Sequence, residues 1–426
     1  MTFFSTSLYS QDNGAYGSYS PYSVYGIGEL SMQGTAYNKS MGGVGIASRN
    51  KRFINYLNPA AVTARDTLSF MADFGINQKN TVYSQQNFKS ANNTFNLYNL
   101  VMSFPIYKSS AFMVGVTPFS DVGYNFSSHV DSDIIADINN VNYNTYGTGS
   151  VYKMFLGAGV TFWKRLSVGA EIDYFFGNID KVSNTNFEST QYRSLNTAKE
   201  LNIRGITGKF GLQYEQRLDN KVSMVLGGTY RLKTKMRGRS SDYSYAIQSS
   251  VVDSVHVNEF QLKDGRLNFG DELGVGVSFR GGDKWMAEIN YLRSDWSKSG
   301  FDATNIPGFA SIGDISFSST AMHSVRAGIE IVPNRNDIRY YFKTCAYRAG
   351  LYYERANYKV NGNGVDGFGL TLGMTLPVFR WYNGLSLGVD IGQKGTVKQN
   401  LVRERYVKFV IGFNIHDIWF QKPRYN

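Results

Sequence analysis

From about Arg65 onward the chain is written in segments of alternating apolar and polar residues, separated by clusters of Gly, Asn, Asp and Lys. Leu68, Phe70, Ala72, Phe74 and Ile76 alternate with Ser69, Met71, Asp73, Gly75 and Asn77. Leu166, Val168, Ala170, Ile172 and Tyr174 do the same against Ser167, Gly169, Glu171 and Asp173. The pattern returns around Val222–Arg231, Ser324–Ile331 and Leu385–Gly392. A period of two gives each segment one apolar and one polar or small face, which is a strand and not a helix. A β-sandwich and a membrane barrel both permit this alternation. Length separates them, because these segments run to about ten residues or more, enough for a tilted strand to cross a bilayer, whereas ordinary strands average about six.

Segments of this kind, beginning near residue 68 and ending near 416, number about fourteen, an even count as single-chain bacterial barrels have. Short links such as Trp163-Lys164-Arg165 and Gly281-Gly282-Asp283 alternate with long connections at about 127–148, 181–200, 237–266, 298–320 and 334–342. Long extracellular loops and short periplasmic turns are expected to alternate in this way. The stretch 238–262 reads as a long loop that can hold a hairpin around Val251, Val252 and Val255. The expected fold is all-β: a transmembrane antiparallel barrel of a Gram-negative outer membrane, porin-like in form.

Composition agrees. Aromatic residues make up 15% of the 426 and charged residues 18%, where soluble domains carry about 25% charged residues. No apolar run approaches the ~20 residues of a membrane helix. The single cysteine, Cys345, excludes an internal disulfide framework, and four scattered histidines make no metal cluster, so neither metal nor cofactor is expected. The net charge of +11 fits attraction to anionic ligands, lipopolysaccharide or an acidic envelope partner, and equally fits lysines and arginines crowded at the membrane surface. Nothing points to nucleic acid. Residues 1–11 read as the last part of a signal peptide, small residues before a Gln without a basic start. Residues 65–418 are the barrel and 419–426 a tail.

Residues 12–64 differ in kind. They carry no strand period, are rich in Gly, Ser and Tyr, and contain few charges, so the segment can pack. A fourteen-stranded wall encloses more lumen than its own side chains fill, and this segment can plug it. The run Ser23-Val-Tyr-Gly-Ile-Gly-Glu-Leu30, Gly34-Thr-Ala36, the glycines at 42–45 and Asn58-Pro59-Ala60 together resemble the N-terminal hatch of the FadL-type (OmpP1/FadL/TodX) outer-membrane transporters. Ser324–Glu330 and Tyr347–Gly350 resemble that family's late strands, and Ser20-Pro-Tyr-Ser23 is similar to its Bacteroidetes members. The resemblance covers most of the chain, in order. It implies a fourteen-stranded barrel with a hatch, uptake of hydrophobic molecules such as long-chain fatty acids, and sideways exit through a gap at a kink in the third strand.

In this chain the third strand holds Pro118, with Gly123 after it. Proline cannot donate to a ladder and belongs at edges or bulges, so Pro118 marks either a local opening or a simple bulge. By the resemblance, Asn58, Pro59 and Ala60 fix the hatch; an ordinary turn into the first strand reads the same way. The mid-strand charges Glu171, Asp173, Arg326, Glu330 and Asp390 can hold the hatch or line a polar path, or simply neutralise one another. An enzyme is not expected. His323 and Ser324 are adjacent and face opposite sides, and no Gly-x-Ser-x-Gly is present. The other reading is a non-transporting barrel serving as subunit or scaffold of a larger outer-membrane complex with protein partners.

Overall fold

The computed structural model describes residues 18–66, 68–86, 88–107, 109–130, 141–187, 192–248, 251–262, 266–302, 311–312, 315–378 and 383–418. The expected signal remnant and C-terminal tail lie outside these residues. Fourteen antiparallel strands form the wall: β1 Ser69–Gln85, β2 Phe88–Tyr107, β3 Ser110–Val130, β4 Val141–Phe162, β5 Leu166–Phe187 and β6 Ser194–Arg217. Next come β7 in two pieces, Val222–Arg231 and Arg237–Gln248, β8 likewise, Val251–Leu262 and Asp271–Gly281, and β9 Trp285–Asp295. The wall ends with β10 (Ile315–Ser319 and Ala321–Ile331), β11 Ala346–Val360, β12 Asn363–Pro377, β13 Gly384–Lys394 and β14 Arg403–Ile418. Pairing of β1 with β14, from Ser69 opposite Ile418 to Ser84 opposite Arg403, closes the cylinder.

The alternation expected from the sequence is present, and its sense, opposite to that of a soluble sheet, identifies the solvent. Ile172 is 61% exposed and Leu156, Leu212 and Leu351 are about half exposed, while Ser167, Glu171, Asp173, Ser324 and Asp390 are buried. Apolar side chains point outward and polar ones inward, as in a barrel whose outer solvent is lipid. The fold and this outward apolar band are those of an outer-membrane protein. Turns follow local chemistry: Asn361 and Gly362 both take positive φ between β11 and β12, the two-residue hairpin that Asn-Gly favours.

Two expectations need correction. The stretch 238–262 forms the hairpin that the sequence allowed, but as part of the wall and not within a loop: Arg237–Gln248 and Val251–Leu262 pair with each other and continue β7 and β8 beyond the membrane. The strands β4 to β6 likewise run to 22–24 residues. Above the lipid no apolar face is required, so the alternation that marks a membrane strand fades while the hydrogen-bonded ladder goes on. The second correction concerns 334–342. It joins the end of β10 to the start of β11, at the same rim as the short turns 163–165, 218–221 and 282–284. This longest connection of the short-turn rim is therefore periplasmic, not extracellular.

Inside, β7 and β8 fold inward where their two pieces meet. Thr234–Lys235 pairs with Asn268–Phe269, and Met236, Leu267, Phe269, Trp296 and Phe301 join Phe119, Phe175, Ile179, Leu201 and Ile203 in one buried apolar cluster. Tyr22, Val24, Tyr25 and Ile27 from the N-terminal segment belong to the same cluster. It fills the lumen toward the extracellular end.

Candidate functional site

The segment before β1 runs through the lumen, touching the wall on all sides. Its backbone sits on wall glycines. Gly159, Gly169 and Gly211 lie opposite one another on β4, β5 and β6, and the turn Asn58–Thr63 rests against them. A Cβ on Gly159 would lie 3.0 Å from the Pro59 carbonyl oxygen, and one on Gly169 would lie 2.5 Å from the Ala60 nitrogen. Farther round, Gly328 and Gly350 face each other on β10 and β11, beneath Met41 and Gly42. Gly373 and Gly388, paired on β12 and β13, accommodate Ser40. Only residues without a side chain let this segment's backbone approach the wall so closely.

Asn58, Pro59 and Ala60 head a short 3-10 turn, Pro59–Thr63. The Asn58 side-chain oxygen accepts from the Ala60 N–H at 3.0 Å. Its amide donates to the Ile46 carbonyl at 2.8 Å and reaches the Leu212 and Gly228 carbonyls of β6 and β7 at 3.3 and 3.4 Å. This one side chain thus ties two turns of the segment to each other and to the wall. Other ties are the Ala47 N–H donating to Glu288 at 2.8 Å, Gln213 donating to the Ile46 carbonyl at 2.9 Å, and Arg49 beside Glu215 at 3.4 Å.

Pro118 and Gly123 lie where the wall is incomplete. β2 and β3 pair only from Leu100 opposite Val116 down to Tyr107 opposite Ser110. Above Val116, among the described residues, β3 pairs with β4 but not with β2. A bulge between Pro118 and Ser120 turns Phe119 inward, where its ring meets Phe175, Phe269 and Trp296. The edge that β2 leaves is taken by the N-terminal segment: Glu29 and Leu30 pair with Asp121 and Ser120. The Ser31 N–H donates to the Phe119 carbonyl at 2.9 Å, the Ser20 N–H to the Gly123 carbonyl at 2.8 Å, and Gln33 to the Pro118 carbonyl at 2.9 Å. Opposite, Glu29 is ion-paired with Lys394 of β13.

Behind residues 29–33 lies a cavity of about 200 Å³, bounded by Phe119 and Trp296 on the extracellular side and by Gly43, Ile46 and Tyr56 on the other. Seven cationic groups line it against three acidic ones. The five mid-strand charges read from the sequence all face the lumen, each with an ion-pair partner. Lys153 lies 3.1 Å from Glu171 and 3.6 Å from Asp173; Arg326 pairs with Glu354 (3.1 Å), Glu330 with Arg348 (2.8 Å) and Asp390 with Lys408 (3.3 Å). Arg326 also reaches the Gly43 carbonyl at 3.4 Å, so one of them touches the segment as well. Lys209, buried on β6, has no hydrogen bond or ion pair among the described residues. Within the segment, Lys39 donates to the Met32 carbonyl at 2.7 Å and lies over the Tyr98 ring; burial, reinforced by Lys408, holds its ammonium well below the usual lysine range.

The sequence reading missed the partners, Lys153, Arg348, Lys394 and Glu29, and the glycine seat. The signal for the seat was present: Gly169, Gly328 and Gly388 stand on the polar faces of their segments, two positions from Glu171, Arg326 and Asp390. Phe119 and Trp296 could not be told from girdle aromatics.

Solved hydrocarbon channels and transporters share this barrel fold. The CymD monoaromatic hydrocarbon channel is similar over 90% of this chain and 98% of its own, at 16% identity and a TM-score of 0.59. The toluene transporter TodX of P. putida is similar over 92% and 100%, at 12% identity and 0.60. A Pseudomonas aeruginosa FadL homologue is similar over 90% and 98%, at 10% identity and 0.54. These likenesses establish a shared FadL-type fold. The family profile described as BamG matches residues 1–426; the chain belongs to the BamG family. No curated protein matches its sequence.

Proposed function

We propose that the barrel passes a small amphipathic molecule, hydrophobic with an acidic end as in a long-chain fatty acid, which leaves sideways between β2 and β3 when residues 29–33 withdraw. The observation that carries this reading is the coincidence of three features at one level: the end of β2–β3 pairing at Val116, the segment residues seated on the exposed edge of β3, and the cavity directly behind them. Lys209, a lining residue with no ion pair within 4 Å among the described residues, favours an acidic end over a neutral hydrocarbon. The Lys209 amine can donate a hydrogen bond to such an end.

A cysteine pair tests the route. Leu30→Cys with Ser120→Cys, in a Cys345→Ser background, joins two residues that face each other across the ladder. In proteoliposomes, the oxidised protein should take up a fluorescent fatty acid at least about tenfold more slowly, with recovery on reduction. Equal uptake in both states rules out the sideways route. Lys209→Ala should slow the fatty acid and leave toluene uptake unchanged if the acidic end is read there.

A second reading has its own support. The apolar cluster that fills the extracellular half of the lumen leaves a closed barrel, suited to serve as a structural subunit of a larger outer-membrane complex. Absence of uptake in either redox state, together with stoichiometric co-purification of other outer-membrane proteins, would favour it.

A further inference from the structure

The periplasmic connection between β10 and β11 presents an apolar and cationic surface that neither the lumen nor the wall uses. Ile338 is 98% exposed and Phe342 68%, with Tyr340 and Tyr341 half exposed beside them. Four such residues within five positions are rarely left to water. The connection is not loose. The Asn334 N–H donates to the Lys343 carbonyl at 2.9 Å, and Asp337 accepts the N–H groups of Arg339 and Tyr340 at 3.0 and 2.8 Å. The single acid is thereby tied into the connection's own backbone and paired with Lys343 at 3.8 Å. Arg339 and Lys343 flank the Tyr340 ring at 5.3 and 4.4 Å. Together with Arg335 they give three cations to one acid.

The position decides the partner. The Tyr341 hydroxyl donates to the Pro377 carbonyl at the foot of β12, and the Tyr347 hydroxyl at the foot of β11 donates to the Phe342 carbonyl. At this rim the outward-facing Trp285, Ile331 and Tyr347 are the last residues of the lipid-facing band. The connection continues that band where the hydrocarbon gives way to headgroups. Aromatic rings with amphipathic edges prefer this depth, and neighbouring cations prefer acidic headgroups.

We infer that residues 333–344 form a docking surface for the periplasmic leaflet that selects acidic phospholipid. The full chain with Ile338→Cys, in the Cys345→Ser background, carries a polarity-sensitive fluorophore in nanodiscs of phosphatidylcholine alone or mixed with phosphatidylglycerol. Emission should shift to the blue, and lipids with a headgroup-level quencher should quench it severalfold more in the mixed discs. Arg339→Gln with Lys343→Gln should abolish that difference while the folded barrel keeps its gel mobility. Water-like emission in both discs overturns the inference. A blue shift seen only in native outer membranes, and in neither nanodisc, overturns it too and assigns the surface to a protein partner.

Discussion

Replacing Gly350 by alanine tests how the N-terminal segment is held. The added Cβ would fall well inside contact distance of the Gly42 nitrogen and the Met41 carbonyl carbon, and 2.8 Å from the Gly42 Cα. Ordinary carbon contacts lie at about 3.5–4.0 Å, so the segment's backbone must rise by roughly an ångström. The obstacle is backbone on both sides, and no flexible side chain can turn away. The movement also stretches the bond from the Gly42 N–H to the Thr371 hydroxyl, 2.7 Å long and buried. Overpacking contributes about 1–3 kcal/mol of destabilisation and the orphaned N–H about 1–3 kcal/mol more. A weakening of about 2–5 kcal/mol raises the population of the detached segment by at least about tenfold. Chymotrypsin reads this directly, because Tyr37, Phe53 and Tyr56 are buried against the wall and cleavage there follows the detached population. Gly228→Ala is the control: a Cβ there meets nothing within 4 Å. If Gly350→Ala is cut in residues 37–56 no faster than wild type, the glycine seat does not hold the segment.

Two further substitutions separate wall stability from passage. Lys153→Met removes the ion-pair partner of both Glu171 and Asp173 and leaves the two buried carboxylates side by side; it should lower the stability of the barrel by about 3–5 kcal/mol, seen as an earlier urea midpoint in micelles, and Glu171→Gln added to it should restore part of the loss. Pro118→Ala restores an N–H to the edge that faces the break; it should slow fatty-acid uptake in proteoliposomes without changing the folded barrel's gel mobility, and unchanged uptake would remove Pro118 from the route.

How far the site was legible follows from which signals are local. Glu171, Asp173, Arg326, Glu330 and Asp390 were readable as lumen charges because period two sets the face of each residue from its neighbours alone. Their partners were not, since Lys153 lies on a neighbouring strand and only ladder register brings it within 3.6 Å of Asp173. Pro118 could be marked as a ladder defect, because a missing N–H is intrinsic to proline. That the defect coincides with the end of β2–β3 pairing depends on the stagger of two strands.

By itself the sequence determined the wall: strand period, strand length, an even number near fourteen, and an N-terminal segment distinct from it. These are properties of residues close along the chain, imposed by lipid on one face and water on the other. Only the tertiary structure decided how far β7 and β8 continue beyond the membrane, on which rim residues 332–345 lie, and where the N-terminal segment sits. It also decided that the edge of β3 left open by β2 is covered by Glu29 and Leu30. Register and closure place residues ninety or more positions apart within hydrogen-bonding reach, and no local pattern encodes that distance.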